Sequence, residues 1–203
     1  MAKPKFNFEA VLVDGMNKGG MFDPKERAQF LGQLAHESME GVYLYEIWGP
    51  TKQQLKYERD FKAPWGPGLK PGDINYVAFN LGNSEVGDGY KFRGRGFIQM
   101  TGRANYEKCG KFLGLDLINN PDLLAQPDIA VQAALWYWRV ERPRIPEMAR
   151  AGDTLGVTRA INGGTNGLDD RIERVNAYLE REDLVKVEMD TLVDNLDNIP
   201  ENK

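Results

Sequence analysis

At 203 residues the chain is long enough for one sizeable hydrophobic core and short for two independent domains. Hydrophobic residues make up 41% and charged residues 28%, with four Trp, eight Tyr and nine Phe, which excludes an intrinsically disordered chain. A formal charge of -4 excludes global attraction to nucleic acid or anionic membrane, the single Cys109 excludes an internal disulfide, and the single His36 excludes multi-histidine metal clusters.

Helical periodicity then dominates in chain order. A first helix is expected over Phe8–Met16, where Glu9 and Asp14 also break up any signal-peptide core. No run of 18 apolar residues follows, so no membrane insertion is expected and the chain is read as staying in the cytoplasm until released. Asp23 as N-cap and Pro24 at the first helical position predict a stronger helix reaching about Ser38. The Gly-, Pro- and Asn-rich stretch from Gly49 to Gly89 reads as surface loops with one or two short helices. Further helices are expected over Gly102–Leu113, Asp128–Val140 and Thr154–Ile161, and from Asp169 past Tyr178. In the tail, Val185, Met189, Leu192, Leu196 and Ile199 form an amphipathic stripe on an acidic segment, expected to dock onto the body.

Glu37 sits about 20° from Phe30 and about 60° from Leu34 around its helix, at the margin of the apolar stripe. Two readings are open there: a half-buried carboxylate held by an arginine, or one desolvated beside Phe30 and kept protonated as a general acid. His36-Glu37-Ser-Met-Glu40 lacks the second histidine of a zinc-protease helix, since Glu40 occupies that place. His36 is then a hydrogen-bonding neighbour, and with no Ser or Cys nucleophile evident, paired carboxylates remain. Glu46 lies nine residues on, with Glu40 and Glu58 as competitors.

The strongest local signal is Gly89–Tyr106, in which two glycines flank Arg95 while Gln99, Thr101 and Asn105 offer neutral hydrogen bonds suited to sugar hydroxyls and acetamides. Gln99 stands where a dinucleotide fingerprint needs its third glycine. Six basic residues against Glu107 between Lys91 and Lys111 carry no DNA-binding motif, so no nucleic-acid partner is expected.

Taken together, His36-Glu37-Ser38, Arg93-Gly-Arg-Gly-Phe-Ile-Gln-Met-Thr-Gly102 with Asn105-Tyr106, the Asn120-Pro-Asp-Leu-Leu-Ala run, Ala134-Leu-Trp-Tyr-Trp138 and Ile161-Asn-Gly-Gly164 with Asp170-Arg171 resemble glycoside hydrolase family 19. Within it the chain is most similar to compact endolysins of phages infecting Gram-negative bacteria. The likeness spans about residues 25–182, within one catalytic domain of 203 residues without a separate wall-binding module. It implies a mainly α, lysozyme-like helical bundle with two lobes flanking a substrate cleft, and hydrolysis with inversion. Glu37 matches the general acid, Glu46 the base that activates water, and Thr101 the hydroxyl that helps hold that water. Gln99, Asn105, Tyr106, Asn162 and Arg171 match positions lining the cleft or supporting the carboxylates, and His36, Tyr90 and Arg95 complete the expected substrate-binding set. Met39-Glu40 before Gly41, and Ile-Trp-Gly-Pro after Glu46, depart from the phage pattern and keep Glu58 in view as the second carboxylate.

The function expected is cleavage of peptidoglycan glycan strands for host lysis, with no metal or cofactor, as a monomer helped across the inner membrane by a separate pore-forming protein. A chitinase and a non-catalytic wall-binding protein are the alternatives. Trp136, Tyr137 and Trp138 are expected in the core, because consecutive helical residues cannot share one face. Trp65 is left between loop packing and capping the cleft.

Overall fold

The computed structural model describes residues 6–187, and within them the chain is helical, with two isolated antiparallel bridges, Tyr45 to Arg95 and Arg95 to Met100, and no sheet. Local chemistry starts the first two helices. Asn7 accepts the Ala10 amide to open α1 (Phe8–Lys18), and Asp23 accepts the Glu26 amide to open α2 (Pro24–Ser38), with Pro24 in its first turn. The end of α2 is sharp. Met39, Glu40 and Gly41 all take positive φ, at 48°, 56° and 80°. The first two lack glycine's freedom and store about 1–2 kcal/mol each. Met39 and Glu40, out of pattern in the sequence, are therefore what stops the helix at Ser38, one residue after Glu37.

The Gly/Pro segment holds a 3-10 turn (Gln54–Tyr57) and two short helices, α3 (Tyr76–Asn80) and α4 (Asp88–Lys91). It is an ordered loop: Asn75 (φ 70°) donates from Nδ2 to the Asp60 and Pro64 carbonyls and accepts the Asp60 amide at 2.6 Å. Next come α5 (Arg103–Leu113), a 3-10 turn (Pro121–Ala125) and α6 (Pro127–Trp136), which runs on as a π-helical turn (Tyr137–Glu141) where an α-helix to Val140 was expected. α7 (Ile145–Ala151) was not expected, because its Pro-flanked sequence reads as a breaker; Pro146 instead occupies the first turn, where its missing N–H costs nothing. α8 (Thr154–Asn162), α9 (Leu168–Leu179) and α10 (Glu182–Val185) complete the described chain. Val185 is buried; the rest of the expected tail stripe, from Met189 onward, lies outside the described residues.

The contacts divide into two compact units: one runs through Glu40 and resumes at Trp138, and the other is Gly41–Tyr137. In the first, α9 packs along α2 so closely that a Cβ on Gly32 would stand 2.6 Å from Val175 Cγ2 and 2.9 Å from its backbone nitrogen. Phe30 meets Trp138 edge-on, with ring centroids 5.2 Å apart. The Trp138 indole donates to Glu26, a buried carboxylate that also takes Arg150 at 2.9 Å. In the second, Phe92, Phe97, Tyr106, Cys109, Leu124 and Ala134 form the core. Burial pushes the Cys109 thiol up to about 12, so it is an inert packing group. Trp136, Tyr137 and Trp138 are all buried, as consecutive positions on a helix demand when every side is covered.

Arg27 tests how far buried polar groups hold the first unit. It is 1% exposed and donates to the Leu184 carbonyl twice, to the Met21 carbonyl and to Asn17 Oδ1. Burial pulls its guanidinium down to about 10. Arg27→Leu strands these acceptors, each unsatisfied group costing about 1–3 kcal/mol. We expect a stability loss of about 3 kcal/mol in denaturant titration; a change under about 1 kcal/mol contradicts it.

Candidate active site

In the first unit the last two turns of α2 present Gln33, His36 and Glu37 to the start of α9. Gln33 and Glu37 are four residues apart and share a helix face, so one arginine fork spans both. Arg171, 2% exposed, donates from Nη2 to Glu37 Oε1 at 2.5 Å, from Nη1 to Gln33 Oε1 at 2.6 Å, and from Nε to the Asn166 carbonyl at 3.2 Å. Gln33, 0% exposed, passes the anchor on through its Nε2 to Thr158 Oγ1 at 3.1 Å. The Glu37 side chain keeps 17% of its surface. A carboxylate is thus fixed from one side by a buried cation and open on another. The arginine-held and the desolvated readings were posed as alternatives; the geometry gives the arginine and leaves an exposed edge.

His36 Nδ1 stands 2.6 Å from Asp170 Oδ2, which also takes Arg174 Nε at 2.7 Å. Arg174, then His36, hold the Asp170 carboxyl below its usual value, so it is an acceptor and the histidine's Nδ1 carries the shared proton. Arg174 goes on to Glu40 at 2.7 Å, which occupies the competing glutamate in a surface ion pair. Asn162 ends α8, donates to the same Asn166 carbonyl at 3.0 Å, and accepts the Gly164 amide at 2.8 Å. It is exposed.

In the second unit Glu46 lies on a short extended stretch against the Arg93–Met100 turn. Its amide donates to the Gly94 carbonyl at 2.8 Å, and the Gly94 amide donates to Glu46 Oε2 at 2.9 Å. Gln54 Nε2 donates to Glu46 Oε1 at 3.0 Å. Gln99, at φ 51°, donates to the Gly96 and Tyr43 carbonyls, and its Oε1 faces the Gly94 α-carbon beside the Glu46 side chain. Thr101 Oγ1 donates to the Gln99 carbonyl at 3.0 Å, and Asn105 Nδ2 donates to the Thr101 carbonyl at 2.8 Å. Glu46, Gln99, Thr101 and Asn105 are all partly exposed.

Gly94 is the pivot of this arrangement. A methyl group there would stand 2.8 Å from Gln99 Oε1, 3.3 Å from Glu46 Cβ and 3.4 Å from Glu46 Oε2. The Glu46 side chain must give by a few tenths of an ångström and Gln99 Oε1 by more, where a shift of about 1 Å in a reacting group can cost about 100-fold in rate. Gly94→Ala is therefore expected to lower kcat at least about 10-fold at an almost unchanged melting temperature; native kcat in steady-state assays contradicts it.

Other expected residues are placed differently. Arg95 and Tyr106 are internal: Arg95 is 3% exposed and is taken up by Asp122, the Lys91 and Arg93 carbonyls and the Tyr106 hydroxyl, which itself donates to the Arg93 carbonyl. They brace the segment from within, and burial raises the Tyr106 phenol. Tyr90 is exposed, with its ring edge-on to Trp48 at 5.5 Å and Arg93 over it at 4.1 Å. Glu58 accepts the Gly87 and Tyr90 amides at the start of α4, and a methyl on Gly89 would stand 2.7 Å from its Oε1. That carboxylate caps a helix. Trp65 packs edge-on against Phe79, under Arg59, and lines a cavity of about 550 Å³ with Pro64, Leu69 and Ile74. Sequence reasoning missed Gln33 and Gln54, whose importance comes from partners 138 and 8 residues away and not from any motif. Among the described residues no three His, Cys, Asp or Glu side chains gather in a way that could hold a metal ion.

Comparison with known proteins adds to this geometry. The sequence profile of the family described as chitinase class I, glycosyl hydrolase family 19, matches residues 13–152. A glycosyl hydrolase family 19 domain-containing protein of Haemophilus influenzae is 34% identical over 173 residues, covering 81% of this chain and 84% of that protein. Endochitinase 1 of Theobroma cacao is 36% identical over 115 residues, covering 56% of this chain and 32% of its own length. The chain spans 32%, 49% and 60% of the length of three plant endochitinases, from Theobroma cacao, Gossypium hirsutum and Pisum sativum. A solved bacterial family 19 chitinase superposes with a TM-score of 0.59 at 22% identity, covering 91% of this chain and 88% of that one.

Proposed function

Because the chain belongs to family 19 of the glycoside hydrolases, the chitinase class I family, we propose that it cleaves β-1,4 bonds of an N-acetylated amino-sugar polymer by direct displacement. The observation that carries this reading is Glu37 held by Arg171, itself anchored on Gln33, with one edge of the carboxylate open. Glu37 gives its proton to the bridging oxygen as the glycosidic bond breaks, and Arg171 stabilises the carboxylate left behind. Glu46 takes a proton from the water that attacks the anomeric carbon on the opposite face. Since the Thr101 hydroxyl spends its own proton on the Gln99 carbonyl, it can only accept from that water. A water donating one hydrogen to Thr101 and the other to Glu46 turns its lone pair toward the carbon. Glu58 is engaged in capping α4 through the Gly87 and Tyr90 amides, whereas Glu46 bonds Gly94 of the segment that carries Gln99 and Thr101.

For the substrate we propose peptidoglycan glycan strands, in a phage-type lysis enzyme. Support comes from the order and compactness of the motifs, the absence of disulfide-forming cysteine pairs, and a bacterial relative matched over most of its length. Chitin is the second reading, favoured by the relatives named endochitinases. Clearing of outer-membrane-permeabilised Gram-negative cells and of colloidal chitin separates them. The first substrate cleared faster supports peptidoglycan, the second alone moves the enzyme to chitin, and neither one cleared overturns hydrolysis in favour of a non-catalytic wall-binding protein.

A further inference from the structure

We propose that Gln54 is a positioning residue for Glu46, acting through it on the attacking water; this rests on reading Glu46 as the base. Gln54 is 5% exposed although it sits in the Gly/Pro-rich loop segment, at the start of a single 3-10 turn. All of its amide is used. Oε1 accepts the Thr51 amide at 2.8 Å and the Gly49 amide at 3.4 Å, so the NH2 end must face the other way. There it donates to the Ile47 carbonyl at 2.8 Å and to Glu46 Oε1 at 3.0 Å. The Gln54 backbone is fixed in turn by Thr51 Oγ1 at 3.2 Å.

The consequence for Glu46 is geometric. Gly94 N–H holds Oε2 at 2.9 Å and Gln54 Nε2 holds Oε1, one donor on each carboxylate oxygen. Two such bonds fix the plane of a side chain with three rotatable torsions, while each oxygen keeps a lone pair, and one of these is what a base offers to water. A base loose in its plane loses the alignment on which a large part of its rate contribution depends. Gln54 also ties residues 47–51 to that same oxygen, so the carboxylate and the loop beneath it are set by one amide.

Steady-state kinetics on whichever polymer the native chain clears tests this, together with a double-mutant cycle. Gln54→Ala should lower kcat about 10-fold with KM within about 2-fold. Gln54→Glu, nearly isosteric, sets a carboxylate against a carboxylate and should cost more, about 100-fold. In a Glu46→Ala background, Gln54→Ala should change the residual kcat by less than about 2-fold; a further fall of about 10-fold overturns the proposal, because the residue then acts through the loop. If Gln54→Ala fails to fold by circular dichroism, Gln54→Met, which keeps the volume, takes its place in the same cycle. Native kcat in both Gln54 variants while Glu46→Ala is crippled overturns the role of Gln54 alone. Native kcat in Glu46→Ala overturns the reading of Glu46 on which it rests.

Discussion

Glu37→Gln is expected to reduce the rate of glycan cleavage by about 10²–10⁴-fold, the range supplied by a positioned general acid. The substitution is close to a single-atom change at this site. A glutamine carbonyl oxygen still accepts from Arg171 Nη2, and the buried Arg171–Gln33 bond is untouched. What disappears is the proton for the leaving oxygen, so the loss should fall on kcat with KM little altered. Release of reducing ends measures it, with melting temperature as the control for fold. A variant that retains native kcat removes Glu37 from the chemistry and with it the mechanism proposed above.

Arg171→Met should hurt both stability and activity, and more broadly than Glu37→Gln. The buried guanidinium is the shared partner of Glu37, Gln33 and the Asn166 carbonyl, and methionine fills the volume while offering none of its donors. Removing one member of a buried pair costs about 3–5 kcal/mol, and the 17% exposure of Glu37 puts this case at the lower end. For a chain of 203 residues, about 3 kcal/mol is a fall of about 6–12 °C in Tm. Activity should fall at least about 10-fold as well, since Glu37 loses its anchor. Arg171→Lys keeps a charge without the fork, so it should recover part of the stability and little of the rate. Calorimetry of the two variants decides: equal and native melting temperatures would mean that Arg171 anchors nothing.

The parts of this molecule that local chemistry dictates could be read directly. Asp23 and Pro24 announce α2 because an acceptor at the cap and a ring without N–H are each suited to one place only. Glu37 drew notice because a carboxylate at the edge of an apolar stripe needs a partner, and the partner is Arg171. Arg171 itself gave no local sign of burial; its role came through resemblance and its contacts through the fold. The reverse holds for Arg95 and Tyr106, polar residues in a glycine-rich segment that look available to a sugar. In the fold the Arg95 guanidinium is taken up by Asp122 and the Tyr106 hydroxyl, and Tyr106 by the Arg93 carbonyl, a fact that spacing cannot express. Gln54 was invisible for a related reason: in a loop rich in Gly and Pro, one glutamine among two carries no pattern until the chain folds back on Glu46. α7 was missed because proline reads as a breaker until its position in the first turn is known.

The most direct measurement of the mechanism is the anomeric configuration of the first product, followed by proton NMR before mutarotation scrambles it. Direct displacement by a water that Glu46 activates inverts the centre, so cleavage of a β-linked strand should show the α-anomer first. An initial β-anomer would require a double displacement or help from the substrate itself, and would contradict the role given to Glu46.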